Sequence, residues 1–123
     1  MRDRLAEVRF EEAGVDSVIA SIRGEIDGSN AGEVQRAVAE HVPTTARSLI
    51  VDLSQTAYID STGVELLFEI ARRLSSRRQS FGVVVPKGSG VRRVLELCDI
   101  SSVGTLTASR DEALAAADGS HPH

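Results

Sequence analysis

The residues best suited to chemistry stand four in a row: Asp60, Ser61, Thr62 and Gly63. Two hydroxyls sit beside a carboxylate, between the apolar approach at 57–59 and the helical pattern beginning at Val64. Asp60 is a good helix N-cap and places the next three residues in the first helical turn. A phosphate on Ser61 would face the positive end of the helix dipole and its free amides. It would also add a charge of about −1.5 to −2 beside Asp60, on a surface open to a partner. Gly63 costs roughly 1 kcal/mol within a helix. Open approach for a modifying enzyme is the reading its missing side chain suggests. The plain alternative is a capped helix start in which Ser61 is only tolerated, and local physics by itself favours that.

Other chemistry finds less support. A nucleophile elbow needs Gly-x-Ser-x-Gly, and Ile59 occupies the first glycine position. His41 is the only histidine outside the terminal "DGSHPH", and it ends a helical pattern with no route to Ser61. No clustered His and Cys set suggests a metal site, no cofactor is implied, and an enzyme is not expected. Gly88-Ser89-Gly90 lacks the spacing of a P-loop and reads as a turn and cap. Arg72, Arg73, Arg77 and Arg78 complement the negative end of a helix. Cys98 falls in an apolar helical stripe and reads as a small core residue.

Composition narrows the setting. The 123 residues suit one domain with its own core, and 41% hydrophobic with 26% charged residues is ordinary for a soluble protein. Aromatics make up 3%, so base stacking is poorly supplied, and a net charge of −4 opposes a broad phosphate-binding surface. Direct nucleic-acid binding is not expected. One cysteine, no apolar run of membrane-spanning length and no signal core point to a cytoplasmic protein. The initial Met and the compact length favour a standalone chain.

The elements that must position the tetrapeptide follow from periodicity. Residues 5–10 alternate as a half-buried strand, with Ala6, Val8 and Phe10 on one face. After the turn at 14–16, a second strand at 17–26 completes a hairpin. Asp27 and Asn30 form a turn and helix cap, with Glu33 at the capping-box position. Ala31, Val34, Val38 and Val42 mark the helix, which Pro43 stops. The run at 48–53 suits a central strand covered on both faces, and "SQTAYID" leads from it into the second helix.

Val64, Leu67, Phe68, Ala71 and Leu74 form the buried stripe of that helix. A strand at 81–86, a third helix with Val91, Val94, Leu95 and Cys98, a weak strand at 103–107 and a helix at 109–118 complete the order. Ser109 and Glu112 have capping-box spacing at the last helix. The fold class is therefore α/β: a mixed, mostly parallel sheet with an N-terminal antiparallel hairpin and about four helices. The expected domain spans 1–117, and 118–123 reads as a disordered tail. The loops 27–30, 60–63 and 87–90 fall beyond strand carboxyl ends, where such folds bind ligands.

"VDLSQTAYIDSTGVELL" resembles the signature of STAS domains, above all bacterial anti-sigma factor antagonists, through Asp52, Ser54 and residues 60–63. "RGEIDGSN" resembles the family's Gly-Glu-Leu-Asp turn, and the order of elements agrees to about residue 115. Gln55-Thr56 departs from the usual Gly-Val, and Thr62 supplies a second hydroxyl.

The resemblance implies a binding module regulated by phosphorylation of Ser61, with Thr62 as the alternative. It implies partner contacts by Asp27, Asn30, Asp60, Ser61, Thr62 and Gly63. Unphosphorylated, such a protein binds an anti-sigma factor and frees a sigma factor for transcription. That anti-sigma factor is often a serine kinase, and a serine phosphatase reverses the mark. STAS domains also serve as scaffolds or subunits of stress-signalling, transporter and lipid-transport complexes, which is the second reading.

Overall fold

The computed structural model describes residues 6–119. Its hairpin is β1 (Glu7–Ala13) and β2 (Ser17–Ile26), antiparallel, with Phe10 opposite Ala20. Leu5 and the final residues from Ser120 onward lie outside the described residues, as does most of the expected tail. α1 (Ala31–His41) leads to β3 (Ser48–Asp52), which is buried throughout and pairs parallel to β2.

β4 (Thr56–Ile59) is a short strand where the sequence pattern suggests only a connection. It pairs parallel to the far end of β2, so that Ile26 lies beside Ile59. Its pattern explains the omission: Thr56 and Ile59 are buried while Ala57 and Tyr58 face out, too short an alternation to register.

α2 (Ser61–Ser76), β5 (Ser80–Val84), α3 (Gly90–Leu97), β6 (Thr105–Thr107) and α4 (Arg110–Gly119) follow. The sheet order is β1-β2-β3-β5-β6, with β4 added beside β2; only β1 is antiparallel. Alternation along the strands splits the core. Val18, Ala20, Ile22, Leu49, Val51 and Val83 face α1, α2 and α3 in the large cluster. Ile19, Ile50 and Val84 face the other way, covered by Ala113 and Leu114 of α4.

The stripe of α2 is wider than expected: Leu66 and Ile70 are buried as well, while Phe68 is only half-buried. Cys98 is exposed, contrary to the core reading. α3 ends at Leu97, and Asp99 takes a left-handed conformation (φ 60°) that turns the chain, so Ile100 fills the core instead.

Candidate functional site

The segment that leads into Ser61 is held against β2 and by its own helix cap. Thr56 Oγ1 donates to Ile22 O at 2.7 Å, and Asp60 N donates to Ile26 O at 3.2 Å. These bonds fix β4 against β2 and deliver Asp60 to the start of α2. Asp60 is extended (φ −105°, ψ −173°) and its Oδ1 accepts from Gly63 N at 3.0 Å, the expected N-cap. Ser61 and Thr62 are exposed in the first turn, and the Ser61 hydroxyl has no hydrogen-bond partner among the described residues.

Gly63 has a different role from the one read in the sequence. It is buried, and a Cβ there would lie 2.6 Å from Ile59 Cγ1 and 2.8 Å from Ile26 O. Glycine lets the first turn of α2 press directly on β2 and β4. It serves internal packing and leaves no opening toward solvent.

The loop at 27–30 joins this surface. A Cβ on Gly28 would sit 3.7 Å from Thr62 Oγ1, so the two loops are neighbours. Asp27 Oδ1 accepts from Ser29 N at 2.9 Å and from Ser29 Oγ at 2.6 Å, which shapes the turn. Asn30 is 2% exposed and does not cap α1 with its side chain, contrary to the capping-box reading. Its Nδ2 donates to Glu25 O at 2.7 Å, and its Oδ1 accepts from Asp27 N at 3.1 Å. Asn30 thus ties the turn to the end of β2, and Asp27, Ser61 and Thr62 supply the accessible polar surface. The loop at 87–90 makes its own local bonds: Ser89 Oγ caps α3 by accepting from Arg92 N at 3.0 Å, and Arg92 Nη1 donates to Val85 O at 2.7 Å.

Two features of the site region escaped sequence reasoning. Tyr58 is half-exposed (50%) on β4, two residues before the cap, and the segment's reading as a connection hid it. The Asp52-x-Ser54 element acts as a clamp. Asp52 Oδ1 accepts from Ser54 N at 2.9 Å and Ser54 Oγ at 2.6 Å, while Oδ2 accepts from Arg110 Nε at 2.7 Å. Arg110 continues to Ser21 Oγ at 2.6 Å and Glu11 Oε1 at 3.1 Å, pinning α4 across β1, β2 and β3. Burial pushes the Asp52 carboxyl up, but the bonds from Ser54 and Arg110 outweigh it and hold it below the ordinary value. Ser54 also begins the turn into β4, so the clamp and the Asp60–Gly63 segment share one short stretch of chain.

His41 lies at the other end of α1, about 15 Å along the helix from Ala31 and the Thr62 side. Its ring stacks on Phe10 with centroids 4.3 Å apart, and Nδ1 is 2.8 Å from Ala37 O. Among the described residues, no group of three or more His, Cys, Asp or Glu side chains is arranged for a metal ion.

The STAS domain family matches residues 9–113. The chain belongs to the STAS family. This STAS domain is 30% identical over 101 residues to the anti-sigma-F factor antagonist RsfB of Mycobacterium tuberculosis, covering 82% of this chain and 81% of RsfB. The crystal structure of an anti-sigma factor antagonist from Mycobacterium paratuberculosis superposes with a TM-score of 0.81 at 26% identity, over 92% of this chain and 94% of that one. SpoIIAA of Bacillus in its phosphorylated form shares the fold, with a TM-score of 0.66 at 18% identity over 88% and 96% of the two chains. The match supports a general role of the anti-sigma factor antagonist kind. Within the described residues, no helix is long and apolar enough to cross a membrane.

Proposed function

We propose that this STAS domain is a cytoplasmic anti-sigma factor antagonist that switches partners through Ser61, with 1–117 as the functional unit. The observation that carries the reading is the Ser61 hydroxyl: exposed, unbonded, and in the first turn of α2 beside the Asp27–Asn30 turn. In the unphosphorylated state the surface of Asp27, Asp60, Ser61, Thr62 and Tyr58 docks on an anti-sigma factor and releases a sigma factor. Tyr58 supplies an aromatic anchor of the kind that dominates interfaces. Asn30 and Gly63 support this surface from beneath.

The anti-sigma factor is a serine kinase in this reading. It transfers a phosphoryl group from ATP to the Ser61 oxygen, and a serine phosphatase hydrolyses the ester. The phosphate adds a charge of about −1.5 to −2. At the helix start it meets the open amides of α2 and is tolerated by the fold. Toward the partner it puts a dianion, together with the Asp60 carboxylate, where a neutral hydroxyl had docked, and desolvating that charge opposes binding.

Incubation with candidate anti-sigma kinases and ATP, followed by mass spectrometry, locates the mark. Pull-downs then compare the wild type with Ser61→Ala and Ser61→Asp. Ser61→Ala is expected to bind the kinase constitutively and Ser61→Asp to bind poorly. Phosphate on Thr62 alone would move the switch by one residue. Tight binding by both variants, with neither hydroxyl modified, would sink it.

A further inference from the structure

The end of the sheet away from Ser61 carries an arrangement that partner switching does not use. β2, β3 and β5 each begin with a serine, and Ser17, Ser48 and Ser80 lie side by side in register. Adjacent strands are about 4.8 Å apart, so the three hydroxyls form a row on the face toward α4. Ser17 and Ser48 are 2% and 4% exposed, and their Oγ atoms are 2.6 Å apart. Each hydroxyl has one proton. Whichever serine donates to the other, the second proton has no acceptor among the described residues. A buried donor in that state calls for an acceptor oxygen from outside.

The serine row lines a cleft of about 460 Å³ whose rim carries Arg77 and Arg78. The arginine cluster of the sequence is thereby divided. Arg72 pairs with Glu69 on the flank of α2, whereas the guanidiniums of Arg77 and Arg78 have no acidic partner among the described residues. Arg78 also occupies an unfavourable place. It has φ 60° just past the end of α2, where Arg78 N donates to Ser75 O at 3.0 Å and Gln79 N to Leu74 O at 2.8 Å. That helix closure ordinarily takes glycine, because a Cβ is strained in the left-handed region. The arginine there sets a cation at the cleft instead.

The negative ends of α2 and α4 also point here, each worth roughly half a charge, and Asp118 adds a carboxylate. Arg77 and Arg78 offset them, and Val15, Ala46 and Ala117 give the cleft an apolar wall. We infer that this cleft binds a small organic phosphate, whose phosphoryl oxygens accept from the Ser17–Ser48 pair and from Arg77 and Arg78. The inference is independent of any modification at Ser61.

The test is a ¹⁵N NMR titration of the full unphosphorylated chain in low-salt, phosphate-free buffer, with inorganic phosphate and with phenyl phosphate. Saturable shifts are expected at the amides of Ser17, Ser48 and Arg78, with phenyl phosphate the tighter ligand. The R77Q/R78G double variant is expected to lose affinity about tenfold or more, the scale of charge-assisted bonds. Glycine suits the backbone at 78, so a thermal melt should show that variant folded. Ser48→Ala, which keeps both arginines, should also weaken binding. Titration without saturation would mean that water satisfies the serine pair and would overturn the assignment. So would shifts confined to 60–63, or unchanged affinity in both variants. Equal affinity for the two ligands would overturn the organic phosphate and leave the free anion.

Discussion

Gly63 and Gly32 are both helical glycines, and their surroundings assign them opposite sensitivities. At Gly63 a methyl group would meet the carbonyl oxygen of Ile26 at 2.8 Å and Ile59 Cγ1 at 2.6 Å, and a backbone oxygen in a paired strand cannot step aside. Overpacking of this kind costs about 1–3 kcal/mol, more than the helix propensity that alanine returns. Gly63→Ala should therefore lower the urea midpoint. Gly32→Ala, with nothing within 4 Å of the new methyl, should raise stability by up to about 1 kcal/mol. A Gly63→Ala protein as stable as the wild type would contradict the packing role. The glycine itself stood out in the sequence as an unfavourable helix residue, but its reason lay in Ile26, which no local pattern connects to it.

At the scale of elements, α4 rests on a small apolar seat, Ala113 and Leu114 against Ile19, Ile50 and Val84, so the Arg110–Asp52 bond carries much of its attachment. Asp52 is 8% exposed at its side chain and Arg110 38%, so the pair is neither fully desolvated nor fully screened. Asp52→Asn should destabilise by about 1–3 kcal/mol at neutral pH, the range for leaving a buried hydrogen-bonding group without its partner. The carboxyl's folded pKa lies below its unfolded value. Its stabilisation is thus fully present above the unfolded value near 4 and fades as pH falls through the folded one. Urea unfolding at pH 7 and at pH 3 checks this: the gap between wild type and Asp52→Asn should shrink in acid. A gap constant with pH would show that the charge on Asp52 is not what holds α4.

The same helix shows where sequence reading ends. The cap of α4 was legible, and Ser109 Oγ does accept from Glu112 N at 3.2 Å. The hairpin, the buried β3 and the Asp60 cap were legible too, because each is written within a few neighbouring residues. The clamp joins residues 58 apart in the chain, and Asp52-x-Ser54 was visible only as a motif without a task. β4 escaped because four residues with two facing solvent leave no usable period. Asn30 and Cys98 were misread because a local rule was extended one step too far, to a cap whose amide turns inward and to a helix that stops at Leu97.

For the whole molecule, the two ends of the sheet carry the two proposed sites, with the Ser61 surface at the carboxyl end of β4 and the serine–arginine cleft at the amino ends of β2, β3 and β5. If phosphorylation works as a surface charge, it should alter binding without altering the fold. Ser61→Asp tests this because Ser61 is exposed and the first turn of α2 offers open amides. An acidic residue there gains about 0.3–1 kcal/mol from the helix end, and repulsion from Asp60 offsets part of it. The melting temperature should stay near that of the wild type, within about 0.5 kcal/mol of stability, as for ordinary surface substitutions. Affinity for the anti-sigma factor, read by calorimetry, should fall by about thirtyfold or more, since a charge desolvated without a partner costs 2 kcal/mol or above. A Ser61→Asp protein that melts several degrees early while losing its partner would instead make the switch one of local unfolding at α2.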